Sequence, residues 1–191
     1  MKFIISIFIL IFICTYSCSN SERIECVSVA DFTKFISDTG YQTDAEKYGW
    51  SIVQEDVIKF RTEEGADWKL PNAKDSSFIN YPVTQVSFND ALAYCNWSKT
   101  RLPSYEEYWK LAADDKRLIN INATEIMPVA EANFVGNVWD LTSTENHKNE
   151  IRLAGGSYLC QPKTCNGSNP NRSLFVDKET GNIHIGFSVV R

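Results

Sequence analysis

Residues 101–109 read Arg101-Leu102-Pro103-Ser104-Tyr105-Glu106-Glu107-Tyr108-Trp109. Ser104 and Glu107 have the spacing of a capping box, in which the hydroxyl accepts from the Glu107 N–H and the carboxylate from the Ser104 N–H at a helix start. Tyr105, Tyr108, Trp109, Leu111 and Ala112 then supply one apolar face, so a helix is predicted to begin after Pro103-Ser104. Upstream, Val29, Phe32, Phe35 and Ile36 fall at helical intervals, with Ser28 as N-cap and Gly40 as the stop. A further helix is predicted over residues 89–98, where Ala91, Leu92, Tyr94, Cys95 and Trp97 form a broad face behind the turn-forming Ser87-Phe88-Asn89. Elsewhere turn residues recur at short intervals, and the one clear strand signal is residues 187–190. There are no repeats or linkers. Three short helices, short strands and many ordered loops make an irregular α+β domain.

The chain has 191 residues, 43% of them hydrophobic and 23% charged, which suits one globular domain. The net charge of −5 argues against nucleic acid as a partner, because neutralising phosphate needs a basic face. Two histidines leave little for a multi-histidine metal site. Met1-Lys2 is followed by an apolar run over residues 3–14 that only Ser6 interrupts. This suits a signal-peptide core and is short for a membrane span, which takes roughly 20 apolar residues. Thr15-Tyr16-Ser17-Cys18 then resembles a bacterial lipoprotein signal, in which Cys18 would be lipidated and become the mature N-terminus; an ordinary cleaved signal or an uncleaved anchor is the alternative. The expected organisation is a signal peptide over residues 1–17, a lipidated N-terminus and short tether over 18–25, and one domain over 26–191. The expected location is a bacterial cell membrane, on the periplasmic or surface face, as a lipid-anchored monomer. Of the six cysteines, Cys14 would leave with the signal, and Cys26, Cys95, Cys160 and Cys165 would remain in the domain. In an oxidising compartment these could form disulfides.

Several blocks occur in order: residues 29–32 and 39–50; Gly65-Ala66-Asp67-Trp68; Pro82-Val83 and residues 86–91 with Tyr94-Cys95-Asn96-Trp97; residues 101–109; residues 133–140; and residues 155–160 with Gly186-Phe187. The ordered set resembles the formylglycine-generating enzyme (sulfatase-modifying factor) family. The resemblance covers most of residues 25–191 and takes in all five tryptophans. It implies a compact, loop-rich α+β domain related to C-type lectins, with little regular secondary structure and with the tryptophans mainly in the core.

The family contains catalysts and non-catalysts, so activity rests on the site. Cys160-Gln161-Pro162-Lys163-Thr164-Cys165 follows Gly155-Gly156-Ser157 and has the spacing of the family's catalytic pair. On spacing alone, a structural disulfide in an exported domain is the favoured reading, since close cysteines there often pair. The resemblance implies instead that both thiolates bind Cu(I), since soft sulfur ligands suit this soft ion. A cysteine of the substrate peptide would join as a third ligand. Oxygen is then activated, a hydrogen leaves the substrate Cβ, and the resulting thioaldehyde hydrolyses to formylglycine. Ser157 is expected to orient this chemistry by hydrogen bonding. The implied partner is an unfolded sulfatase, or another extended peptide, bearing Cys-x-Pro-x-Arg.

Asn133, Gly136, Val138 and Asp140 match a family calcium site, two side-chain oxygens and two carbonyls being reasonable ligands for Ca²⁺. Asp140 replaces the usual Glu and is one methylene shorter. The family's preceding calcium segment is missing. Ala154 replaces a basic residue, and residues 166–173 lack the family's run of arginines and aromatics, only Arg172 matching. Asp44, Glu46 and Trp68 lie in blocks that contribute to the family's substrate surface. Cys95 is expected to be a free buried thiol. Truncation and the lost calcium segment favour an alternative: a non-catalytic, membrane-anchored binding or structural lipoprotein. A lectin-like display protein is a further possibility suggested by the Asn-rich residues 166–171. The family's iron-dependent branch fits least, because His147 and His184 cannot supply a three-histidine site.

Overall fold

A computed structural model describes residues 22–191 except 57, 162 and 164. The signal peptide and Cys18 lie outside the described residues. Among the described residues, no helix is long and apolar enough to cross a membrane.

The chain runs β1 (Ile24–Cys26), α1 (Val29–Thr39), α2 (Asp44–Tyr48), β2 (Trp50–Gln54), β3 (Phe60–Glu64), α3 (Phe88–Ser98), α4 (Tyr105–Ala112), β4 (Trp139–Glu145), β5 (Ile151–Ala154), β6 (Phe175–Val176), β7 (Ile185–Gly186) and β8 (Ser188–Val190). This is the expected α+β architecture with little regular structure. Each predicted helix starts where its capping residue stands. Ser28, Ser87 and Ser104 are the N-caps of α1, α3 and α4, and each completes a capping box. Gly40 closes α1 in the left-handed region at φ 66°. The short helix α2 was not predicted; Thr43 and Glu46 form its capping box and Gly49 its left-handed stop.

Three small sheets carry the rest. β1 pairs antiparallel with β8, so Ile24 and Glu25 belong to the domain and not to a tether. β2 and β3 form a hairpin. In the third sheet the order is β6-β5-β4-β7, with β4 antiparallel to β5 and parallel to β7. The parallel pairing sets Trp139 opposite Ile185, and it brings the C-terminal segment beside the turn that follows β5.

The main core lies between α1, α3 and this sheet. Phe32 is fully buried, with its ring centroid 5.3 Å from those of Phe35 and Trp68, 6.1 Å from Tyr94 and 6.3 Å from Phe187. A second, smaller cluster gathers Ile24, Tyr105, Tyr108, Ala112, Val135 and Ala154 behind α4. Trp68 and Trp139 are core residues as expected, and Trp97 and Trp109 are half-buried. Trp50 departs from the expectation: it is exposed and stacks on exposed Tyr48 at 6.4 Å. The suggested surface residues also divide. Trp68 is buried in the core, and buried Asp44 accepts from Ser87 Oγ at 2.7 Å. Glu46 binds Lys69 Nζ at 2.6 Å.

Candidate active site

The site is built on the turn that leaves β5. Gly155 and Gly156 have φ of 86° and 80°, a region that costs a side chain steric strain. A Cβ on Gly156 would also meet the Gly167 carbonyl carbon at 2.7 Å, so the loop after Cys165 packs directly on the turn. Ser157 follows, fully buried, and its N–H donates to Cys160 Sγ at 3.4 Å. The Ser157 hydroxyl lies 3.9 Å from the same sulfur. Backbone bonds from Cys160 to Ser157 (2.8 Å) and from Cys165 to Gln161 (2.9 Å) coil the segment so that the two cysteines converge. Their Cα atoms are 5.1 Å apart and their sulfurs are joined as a disulfide.

The pair floors a cleft of about 280 Å³. Trp139, Leu153, Leu159, Leu174 and Ile185 give it apolar walls, and Gln54, Ser157, Arg172, Asn182 and His184 are its polar groups. Three residues proposed from the sequence as catalytic, Ser157, Cys160 and Cys165, therefore share one cleft. His184 lines the same cleft, a position that sequence reasoning missed, having set the residue aside as unable to build a three-histidine cluster. Its Nδ1 lies 3.1 Å from Ser157 Oγ, and its carbonyl accepts from the Trp139 N–H at 2.9 Å. Burial lowers its pKa to about 4, so the ring is neutral at ordinary pH and can accept the Ser157 hydroxyl proton. The tandem Asn182-Ile183-His184-Ile185, with polar and apolar residues alternating, was the signal that could have placed it on a cleft wall.

As a donor set, the two cysteine sulfurs that line this cleft fit a Cu(I) ion once the disulfide is reduced. The expected calcium set fits less well. Asn133, Val138 and Asp140 do share a small cavity, but Gly136 is not on its wall, while Cys26 and Arg117 are. Asn133 Nδ2 donates to the Asp115 and Arg117 carbonyls at 2.9 and 3.2 Å, and its Oδ1 accepts from the Val135 N–H at 2.9 Å. Asp140 Oδ2 accepts from Tyr108 Oη at 2.9 Å; Oδ1 is buried without a partner. Burial raises the Asp140 pKa to about 7, only partly offset by the neighbouring Ser188 and Tyr108 hydroxyls. One carboxylate beside a guanidinium falls short of the six to eight oxygens that calcium takes.

Cys95 is buried and free, as expected, and Cys26 is free as well. Burial pushes both thiols up, Cys95 to about 11, which makes them unreactive.

A model of the sulfatase-modifying factor enzyme 1-like domain matches residues 23–129 of the chain. The formylglycine-generating enzyme of Mus musculus is 31% identical over a 212-residue alignment that covers 73% of this chain and 57% of that protein. The inactive C-alpha-formylglycine-generating enzyme 2 of Bos taurus is 37% identical over 46% of this chain and 35% of its own length. Among solved structures, PvdO from Pseudomonas aeruginosa superposes with a TM-score of 0.60 at 12% identity, covering 88% of this chain and 79% of that one. The chain thus spans between about a quarter and three-fifths of the first curated relatives it matches. The match to the family model ends before the cysteine pair. With more than half of its residues under the family model, the chain belongs to the sulfatase-modifying factor enzyme 1-like family.

Proposed function

We propose that the protein oxidises a cysteine of a sulfatase, within Cys-x-Pro-x-Arg, to formylglycine: the cysteine gives two electrons and two hydrogens to O₂, a thiol reductant supplies the other two electrons that take O₂ to water, the sulfur leaves as sulfide on hydrolysis, and Cys160 and Cys165 would hold the Cu(I). One observation carries this reading: Ser157, Cys160 and Cys165 converge at the floor of a single cleft. Copper, when bound, supplies the oxygen activation that no side chain can provide. The chain's own residues do the rest. The Ser157 N–H points at Cys160 Sγ and favours the negatively charged sulfur needed for a metal ligand. His184 fixes the Ser157 hydroxyl, so that it faces the sulfur with a defined orientation. Trp139, Leu153 and Leu159 exclude water around the reacting sulfur and leave the cleft mouth for the peptide. The site must be reduced before it can load metal.

Export and lipid attachment at Cys18 belong to the same proposal and rest on residues 1–18. A tethered enzyme would meet sulfatases as extended, unfolded chains.

A second reading draws on the Cys160–Cys165 disulfide itself. If that bond is permanent, the protein is a non-catalytic, membrane-anchored binding or structural lipoprotein. The experiment that separates them incubates the reduced protein with Cu(I), oxygen and a Cys-Thr-Pro-Ser-Arg peptide, and follows the peptide by mass spectrometry. Turnover that Cys160→Ser or Cys165→Ser abolishes supports the enzyme. No turnover and no Cu(I) binding, with a disulfide that resists mild reductant, supports the second reading.

A further inference from the structure

The charge around the cysteine cleft is one-sided. Among the described residues that line it, Arg172 carries the only full charge at neutral pH, and there is no carboxylate. The loop that presents Arg172 is anchored at both ends. Gly167 packs on Gly156, and Tyr105 Oη lies 2.8 and 2.9 Å from the carbonyl oxygens of Pro170 and Arg172. The Arg172 N–H donates to the Asn169 carbonyl at 2.9 Å, while its side chain is exposed and no carboxylate among the described residues pairs with it. The β2–β3 hairpin sets Ile58 and Phe60 on the same cleft at 77% and 67% exposure. Three of the hairpin's acids are engaged within the hairpin itself. Glu55 is paired with Lys59 and Arg61, Glu63 with Arg61, and Asp56 accepts the Ile58 and Lys59 N–H groups.

An unpaired guanidinium and two exposed apolar side chains lining the same cleft are complementary to one kind of ligand. We propose that the cleft selects an extended cysteine-containing peptide with a large apolar residue and an acidic side chain beside the cysteine, Arg172 meeting the carboxylate and Ile58 and Phe60 the apolar group. This deepens the proposed function, since it concerns the variable positions around the cysteine of the same substrate.

The test is binding, not turnover. Fluorescent peptides built on Ser-Thr-Pro-Ser-Arg, with Ser for the reacting cysteine and an amidated C-terminus, carry Leu or Ser and Asp or Lys as flanking residues. The full chain should bind the Leu/Asp peptide about tenfold tighter than the Leu/Lys peptide at low salt, and Arg172→Glu should reverse that order. Ile58→Ser with Phe60→Ser should weaken the Leu peptides severalfold and leave the Asp/Lys ratio unchanged. All three substituted side chains are exposed, and unchanged melting temperatures verify the fold. No acidic preference in the wild type, or a preference that survives Arg172→Glu, overturns the proposal. A preference seen only with a free C-terminal carboxylate also overturns it, because the anion is then the peptide end. Binding of this pattern without formylglycine formation would defeat the proposed activity alone; formylglycine formation without this pattern would defeat the selectivity alone.

Discussion

Nδ1 of His184 lies 3.1 Å from Oγ of Ser157, and the Ser157 N–H lies 3.4 Å from the sulfur of Cys160. The C-terminal segment therefore reaches the cysteine pair through one hydroxyl. This link gives the serine a fixed partner that a turn hydroxyl in water would lack. It also predicts a split. His184→Asn should leave Cu(I) binding to the reduced pair within severalfold of wild type, measured by competition with a chromogenic chelator. Ser157→Ala and His184→Asn should both lower kcat by about tenfold or more, the scale of losing one oriented hydrogen bond. Equal loss of copper affinity and kcat in His184→Asn would show that the ring holds the metal site together instead.

Two of the buried titrating groups, His184 and Asp140, predict a pH signature. His184 has a folded pKa of about 4, below its unfolded value of 6.5, so its contribution is present above pH 6.5 and is lost as the pH falls toward 4. Asp140 has a folded pKa of about 7, above its unfolded value of 3.8, so its contribution is present below pH 3.8 and is lost as the pH rises toward 7. Between pH 4 and 6.5 the two effects oppose each other. Removing one exposes the other: in Asp140→Asn, stability should fall on acidification across this window at up to about 1.4 kcal/mol per pH unit. In His184→Asn it should fall as the pH rises. Urea denaturation at several pH values reads both slopes, and parallel profiles in the two variants would refute the burial assignments.

Packing at the turn predicts a specific intolerance. Gly156→Ala places a methyl 2.7 Å from the Gly167 backbone at a residue with φ of 80°. Strain of about 1–3 kcal/mol is expected from the dihedral alone, with displacement of the loop that carries Arg172 in addition. A denaturation midpoint within error of wild type would mean that this loop does not pack on the turn. By contrast, Phe32→Ala removes a ring that touches Phe35, Trp68, Tyr94 and Phe187, and should cost about 3–5 kcal/mol.

Calcium should matter little. With Arg117 on the wall of the Asn133–Asp140 cavity and one carboxylate available, millimolar Ca²⁺ or EDTA should leave the melting temperature unchanged. A rise of several degrees with Ca²⁺, lost in Asp140→Asn, would restore the expected site.

How far the sequence revealed this follows from the range of each interaction. Ser28 and Ser104 marked helix starts correctly because a capping box is complete within four residues, whereas Ser87 was read only as a turn residue and α3 begins one residue earlier than expected. The same signal was available at Thr43 and Glu46 for α2, and a helix that short has almost no apolar period to support it. The convergence of Ser157, Cys160 and Cys165 was legible because the segment coils locally. His184 was not, since it arrives 27 residues later through the parallel β4–β7 pairing. Trp50 was misread as core because residue type alone does not tell which face of a hairpin looks outward. Arg172 depends on a loop held by Tyr105, 67 residues away in the sequence.

The central claim is that the Cys160–Cys165 pair is a working copper site and not a permanent cross-link. It is tested most directly by mass spectrometry of a Cys-Thr-Pro-Ser-Arg peptide after incubation with the reduced, copper-loaded protein under oxygen. The account predicts loss of the thiol and appearance of an aldehyde in the wild type, and an unmodified peptide with Cys160→Ser or Cys165→Ser. An unmodified peptide with the wild type, under conditions where the pair is shown to be reduced, would contradict it.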